Sequence, residues 1–183
     1  LINGKLRYCL WLKECPEDIM SSCDKLIVRL KNVANIRSNS TKELTRKWAL
    51  KPHLFTEDRQ PDMEYLMLPV VSSEKRQYIP MAYIDSTVIA NTNSQMIPDA
   101  PIYVFGVLTS LIHSVWMKAV CGRLEMRFAY SASVVYNTFP FPSISDTKKS
   151  EIEEAATNVL LARENYPEKT LADLYDPEKM PED

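Results

Sequence analysis

The stretch YVFGVLTSLIHSVWMKAVCGRLEMRFAYSASVVYNTFPFP, Tyr103 to Pro142, decides how this chain is read: one apolar helix feeding two strands. From Arg123 to Tyr130 the residues alternate strictly, with Arg123, Glu125, Arg127 and Ala129 on one face and Leu124, Met126, Phe128 and Tyr130 on the other. That is the period of a half-buried strand, in which one face packs and the other offers charge. An acid between two arginines fits two readings. It can be a solvated ion-pair ladder, which stabilises little. It can also be chemistry for a base edge, because a carboxylate accepts from the cytosine amino group and a guanidinium donates two parallel bonds to guanine in the major groove. On that second reading Glu125 and Arg127 address the two halves of one C·G pair.

Working outward, Phe105 to Val120 holds Leu108, Leu111, Ile112, Val115, Trp116 and Ala119 on one side without any run of charge, which predicts a central buried helix closed by Gly122. Val134 to Phe139 is the expected partner strand, ended by Phe139-Pro140-Phe141-Pro142. Upstream, Tyr65 to Val71 and Tyr78 to Ile84 are expected strands joined by SSEKRQ, which presents Lys75 and Arg76 as a phosphate clamp or as a merely soluble turn. Pro69 and Pro80 donate no ladder bonds, so these strands should be at edges, bulged or interrupted. Thr87 to Ala90 is read as a further short strand. The amides of Asn91 and Asn93, in the cluster Asn91 to Gln95, suit either a capped turn or bidentate contact with adenine.

Near the start, LRYCLWL at 6–12 predicts a buried strand or extended segment with Trp11 in the core. Pro16, Glu17 and Asp18 open a helix, and Ile19, Cys23, Leu26, Ile27, Leu30, Val33 and Ala34 continue it as a long amphipathic stripe. After the polar break at 38–41 a second, basic helix runs to Lys51, where Pro52 stops it. Lys42 and Arg46 are four apart, as are Lys47 and Lys51, giving two cationic rows that face either a phosphate backbone or solvent. From Asp146 or Thr147 a further helix should stop before Pro167, leaving a Pro-rich acidic tail along a surface.

Composition sets limits on function. Of 24 acidic and 22 basic residues, 11 and 5 fall from Asp146 onward, which leaves 13 acidic and 17 basic before it. The acidity sits in the tail, and the mildly basic body is compatible with phosphate contact. Cys9, Cys15, Cys23 and Cys121 have irregular spacings with only His53 and His113 beside them, which fits no zinc pattern and points to buried reduced thiols. His113 is expected as a core histidine bonded to backbone. With three glycines there is no Gly-rich phosphate loop. The chain opens at Leu1 with neither a signal peptide nor an apolar run of membrane-spanning length, and is read as a cytoplasmic piece of a longer protein without membrane contact.

RYCLWL at 7–12, VSSEKRQYIP at 71–80, FGVLTSLIHSVW at 105–116, CGRLEMRFAYS at 121–131, VVYNTFPFP at 134–142 and TLADLYDP at 170–177 together resemble the C-terminal target-recognition region of MmeI-type proteins. These are single-chain restriction-modification enzymes and related adenine methyltransferases that serve in phage defence. The resemblance implies a double-stranded DNA partner, an upstream methyltransferase domain in the same chain that uses S-adenosylmethionine, and a nuclease domain in some members. It also implies that the acid-arginine pair at Glu125 and Arg127 reads C where a lysine-aspartate pair reads G, that Met126 influences a neighbouring base, and that Asn91 to Asn93 form a second specificity segment. The family's donor-binding glycine motif and Asn-Pro-Pro-aromatic motif are absent, so no catalysis and no cofactor are expected in this piece. The expected architecture is α+β, a mixed or antiparallel sheet with a buried central helix and peripheral helices, as a recognition core over 1–142 and a helix with an acidic tail over 143–183. A protein-interaction or scaffolding module of a larger enzyme is the rival expectation.

Overall fold

The computed structural model describes residues 2–5 and 7–181, and it divides into two compact units. One is Arg7–Arg59; the other comprises 60–181 with the first few residues.

Arg7–Arg59 is helical. Helix α1 (Glu17–Ser21) opens after Pro16 with Glu17 and Asp18 in its first turn, where the helix dipole favours acids. The single long helix expected here is broken. Ser21 and Ser22 hydroxyls donate back to the Asp18 and Ile19 carbonyls at 3.0 and 2.8 Å, a local competition that ends α1 before α2 (Asp24–Ser38) begins. Helix α3 (Glu43–Lys47) is shorter than the basic helix expected and tightens into a 3-10 turn, Trp48–Leu50, ahead of Pro52. Arg37 gathers the carbonyls left open there, donating to Trp48, Lys51 and Leu54 at 3.1, 2.9 and 2.8 Å. Residues 7–12 form no strand, since no strand among the described residues of this unit can pair with them. Tyr8 is 93% exposed, whereas Trp11 is half-buried and stacks on Phe55 at 5.3 Å. The part of that expectation at Leu6 lies outside the described residues. The thiols are free but not buried: Cys9 and Cys23 are exposed, Cys15 and Cys121 half-buried.

The larger unit is α+β, with two three-stranded antiparallel sheets, ordered β3-β1-β4 and β2-β6-β5. Strand β1 (Tyr65–Pro69) is central, not an edge, and Tyr65, Leu66, Met67 and Leu68 are all buried. Its unbroken apolar run is the mark of a strand covered on both faces. Pro69 interrupts it, as expected, and Val70 hands the chain to β2 (Val71–Ser72) in the second sheet. β3 (Ala82–Ile84) and β4 (Ser94–Pro98) flank β1. The strand expected at 87–90 is absent. That segment is held by side chains instead, with Gln60 Nε2 donating to the Ser86 and Val88 carbonyls and Tyr65 donating to Val88 at 2.6 Å.

The central helix is two helices, α4 (Ile102–Leu108) and α5 (Leu111–Val120), bent by 59°. Thr109 and Ser110 cause the break. Their hydroxyls donate to the Phe105 and Val107 carbonyls at 2.8 and 2.6 Å, and Ser110 then caps α5 by accepting from the His113 N–H. Phe105, Val107 and Leu108 are buried, but Leu111, Ile112 and Val115, expected inside, are exposed. Beyond the second sheet, 132–136 is a π-helical turn in place of the expected strand. Helix α6 (Asp146–Glu164), capped by Ser145, packs on α4 through Gly106. The tail does more than lie on a surface. Helix α7 (Leu171–Leu174) donates from Ala172 to the Ile2 carbonyl at 2.7 Å, and Arg163 sits between the Phe105 and Tyr175 rings while donating to the Met81 carbonyl and the Tyr175 hydroxyl.

His113 is fully buried and bonds a side chain rather than backbone, sharing a 3.1 Å hydrogen bond with the Tyr130 hydroxyl while its ring meets Phe139 edge-on at 4.7 Å. Burial pushes its imidazole down from 6.5 to about 4. Between those values the unfolded chain binds a proton that the folded chain refuses, so this stability is full above about pH 6.5 and is lost as pH falls to 4. A shift of that size corresponds to about 3 kcal/mol. Denaturation midpoints should therefore drop from pH 7 to 4 for the native chain and drop less for His113→Gln, which retains a bond to Tyr130; equal slopes would assign the pH dependence to other groups.

Candidate nucleic-acid interface

The segment read as one strand from Arg123 to Tyr130 is a hairpin. β5 (Gly122–Leu124) and β6 (Arg127–Ala129) pair antiparallel, Leu124 opposite Arg127, and Glu125-Met126 form the two-residue tip. Glu125 has φ 57° and Met126 does not share a positive φ, the sign pattern of a II′ turn, in which glycine normally occupies the first position. The reversal moves Arg127 to the ribbon face of Leu124 and sets Phe128 directly opposite Arg123. Phe128 and Tyr130 are buried as expected, but Leu124 and Met126 are 49% and 71% exposed. The other edge of β6 pairs with β2, Val71 opposite Ala129, so the root of the hairpin is fixed while its tip projects.

At that tip Arg127 Nη2 lies 2.8 Å from Glu125 Oε2, both side chains being largely exposed. Charge and hydrogen-bonding capacity of both kinds are thus held side by side, facing water. Arg123 takes another part: its guanidinium lies 4.2 Å from the Phe128 ring centroid and donates to the Met126 carbonyl at 3.3 Å.

Asn91 and Asn93 lie in a turn. The Asn91 side-chain oxygen accepts from the Asn93 N–H at 2.9 Å, and the chain then enters β4. This turn is close to the hairpin root, because Val70 donates to the Asn93 carbonyl and accepts from the Tyr130 N–H, at 2.9 and 2.7 Å. The structure therefore brings the two sequence-predicted reading segments to either side of Val70.

The predicted phosphate ligands are divided. Lys75 and Arg76 lie in the β2–β3 connection of the larger unit, where Lys75 pairs with Glu178 of the tail at 3.3 Å and Arg76 Nε is buried without a partner. Lys42, Arg46 and Lys47 lie in the helical unit. Lys42 is the exposed N-cap of α3, Arg46 is turned onto the Ser40 and Thr41 carbonyls at 2.9 Å each, and Lys47 pairs with Glu43 at 2.9 Å. Exposed pairs of this kind are weak and open readily to a competing phosphate. The basic excess also has an address. Of the 17 basic and 13 acidic residues before Asp146, 11 and 7 lie in Arg7–Arg59, leaving six of each elsewhere.

Sequence reasoning missed the brace at Arg123 and the link at Val70. The first had a signal, an arginine whose strand partner is aromatic only if the chain reverses; the second is backbone bonding, which no side chain announces. No group of residues able to hold a metal ion occurs among the described residues. The three glycines serve a turn at Gly4, a helix contact at Gly106 and the hairpin root at Gly122. None lies in a strand-to-helix turn.

Comparison with known proteins gives the family and the fold to which this chain is similar. The family model of the MmeI target recognition domain matches residues 1–143, and that of the MmeI C-terminal domain matches residues 144–183. The chain is 43% identical over 180 residues to DNA methyltransferase A of Bacillus subtilis (strain 168), spanning 98% of this chain but 20% of that protein. Among solved structures, the type IIL restriction-modification enzyme MmeI in complex with DNA superposes with a TM-score of 0.96 at 43% identity, over 98% of this chain and 24% of that one.

Proposed function

Because this chain belongs to the MmeI family, matching its target recognition and C-terminal domains, we propose that it selects a double-stranded DNA site for a larger enzyme and performs no chemistry of its own. The observation that carries this reading is the projecting hairpin with Glu125 and Arg127 abreast at its tip. A two-stranded ribbon enters the major groove, where the carboxylate accepts from cytosine N4 and the guanidinium donates to guanine O6 and N7. Met126 lies at the same tip and faces a neighbouring base. Asn91 and Asn93, near the hairpin root, supply a second set of base contacts.

Affinity comes from elsewhere. Lys42, Arg46 and Lys47 on the basic helical unit, with Lys75 and Arg76 on the β2–β3 connection, contact phosphates and position the ribbon without reading sequence. The larger enzyme is an S-adenosylmethionine-dependent adenine methyltransferase acting in cytoplasmic restriction-modification and phage defence, its catalytic domain upstream in the same chain and a nuclease present in some members. The donor binds in that upstream domain.

A second reading, a protein-interaction module, is favoured by one feature, the exposed Leu111, Ile112 and Val115 on α5. Salt separates the two. The five phosphate contacts should contribute about −4.5 to the slope of log K for duplex DNA against log salt, and Lys42→Ala should make that slope shallower by about 1. Binding of the full-length protein to duplex DNA that shows no salt slope would remove the phosphate contacts and leave the interaction reading in place.

A further inference from the structure

Resting on the reading of Glu125 and Arg127 as the base-facing pair, we infer that Arg123 is a positioning residue for that pair, holding the hairpin tip in the conformation that sets the two side chains abreast. The tip needs such a hold. A residue with a Cβ seldom adopts the φ of 57° found at Glu125. A two-stranded ribbon is also marginal on its own, and β5, its outer strand, is exposed at every residue.

Arg123 ties this outer strand down at two points with one rigid group. Its guanidinium rests on the ring of Phe128, which is only 6% exposed and belongs to the core cluster. From there Nη1 reaches the Met126 carbonyl at 3.3 Å. That carbonyl lies in the peptide plane joining Met126 to Arg127, so the bond orients the backbone from which the Arg127 side chain leaves. Stacking over an aromatic face and donating from the guanidinium edge are compatible only for a flat, multiply donating cation. Arg123 therefore acts through Arg127 and Glu125, while its own charge is turned back onto the hairpin.

The test uses the full-length protein and four duplexes that differ only at the base pair re-specified by the double exchange Glu125→Lys with Arg127→Asp. Arg123→Ala should reduce the preference among these four by about tenfold, leaving preference at other positions and the salt slope as they were. Arg123→Lys, which keeps a cation over Phe128 but loses the flat two-ended group, should restore part of the preference. It also supplies the measurement should Arg123→Ala fail to fold. Equal loss on all four duplexes with a salt slope shallower by about 1 would make Arg123 a phosphate ligand and overturn the inference. A change of preference at another position would make it a base reader, and unchanged preference would leave it without this role. If the double exchange itself leaves the selected site unaltered, the base-facing pair falls, and that failure is seen independently of any Arg123 variant.

Discussion

The double exchange Glu125→Lys with Arg127→Asp should change the DNA site selected by the full-length protein at one position, from C to G on the strand read, with every other position unaltered. The geometry explains why both changes are needed. The two side chains are 2.8 Å apart at the hairpin tip, so inverting one charge alone places like charges side by side and leaves one half of the base pair facing the wrong partner. Each single exchange should cost about 1–3 kcal/mol of discrimination, roughly 5- to 150-fold. The double exchange keeps a complementary pair in inverted order. Sites selected from randomised duplexes, or the methylated motif mapped in cells expressing the full-length protein, provide the measurement. Retention of the original motif by a folded double variant would reduce Glu125 and Arg127 to a surface ion pair.

Gly106→Val should lower the melting temperature by several degrees, and even Gly106→Ala should destabilise, although alanine at an exposed helical glycine ordinarily gains about 1 kcal/mol. The reversal of sign comes from the α4–α6 contact. A Cβ at residue 106 would lie 2.8 Å from Ile152 Cγ2 and 3.1 Å from both Ala156 Cβ and the Ile152 carbonyl oxygen. The Ile152 side chain can turn, but the carbonyl and Ala156 yield only if the helix moves. Overpacking of this kind typically costs about 1–3 kcal/mol, and at about 2–4 °C per kcal/mol for a chain of this size the valine variant should fall by roughly 2–12 °C. Thermal melts of both variants check it. A rise in melting temperature for Gly106→Ala would mean that α4 and α6 do not approach so closely in solution.

What the sequence discloses and what it hides follow from the kind of signal involved. The polar start at Asp146 announced α6, whose cap in the structure is Ser145, and Pro16 with two acids announced α1, because capping and dipole effects are local. The run Tyr65 to Leu68 likewise marks a strand, but Pro69 pointed to an edge where the structure has the centre of a sheet. The reversal at Glu125-Met126 was hidden for a geometric reason: a two-residue turn leaves the alternation running through both strands, and no glycine or asparagine marks it. Breaks at Ser22 and Thr109 were hidden because hydroxyls bonding backwards to carbonyls interrupt a helix without disturbing its apolar period. Val134 to Tyr136 carries β-branched and aromatic residues suited to a strand, yet tertiary contact prevails, with Trp116 donating from its indole to the Val135 carbonyl at 3.2 Å. The charged pair stood out in the sequence; its position at a tip did not.

That position bears on how such a protein changes over generations. Glu125 stands in the turn and Arg127 in the last pair of the ribbon, and their mutual contact is across water-exposed surface rather than through the core. On the proposed reading of the pair, two codons can be rewritten there without asking any interior residue to adjust, which separates a new target letter from an old one by a very short mutational path. The buried residues beneath it, Phe128 and Tyr130, keep the protein folded whichever side chains stand above them.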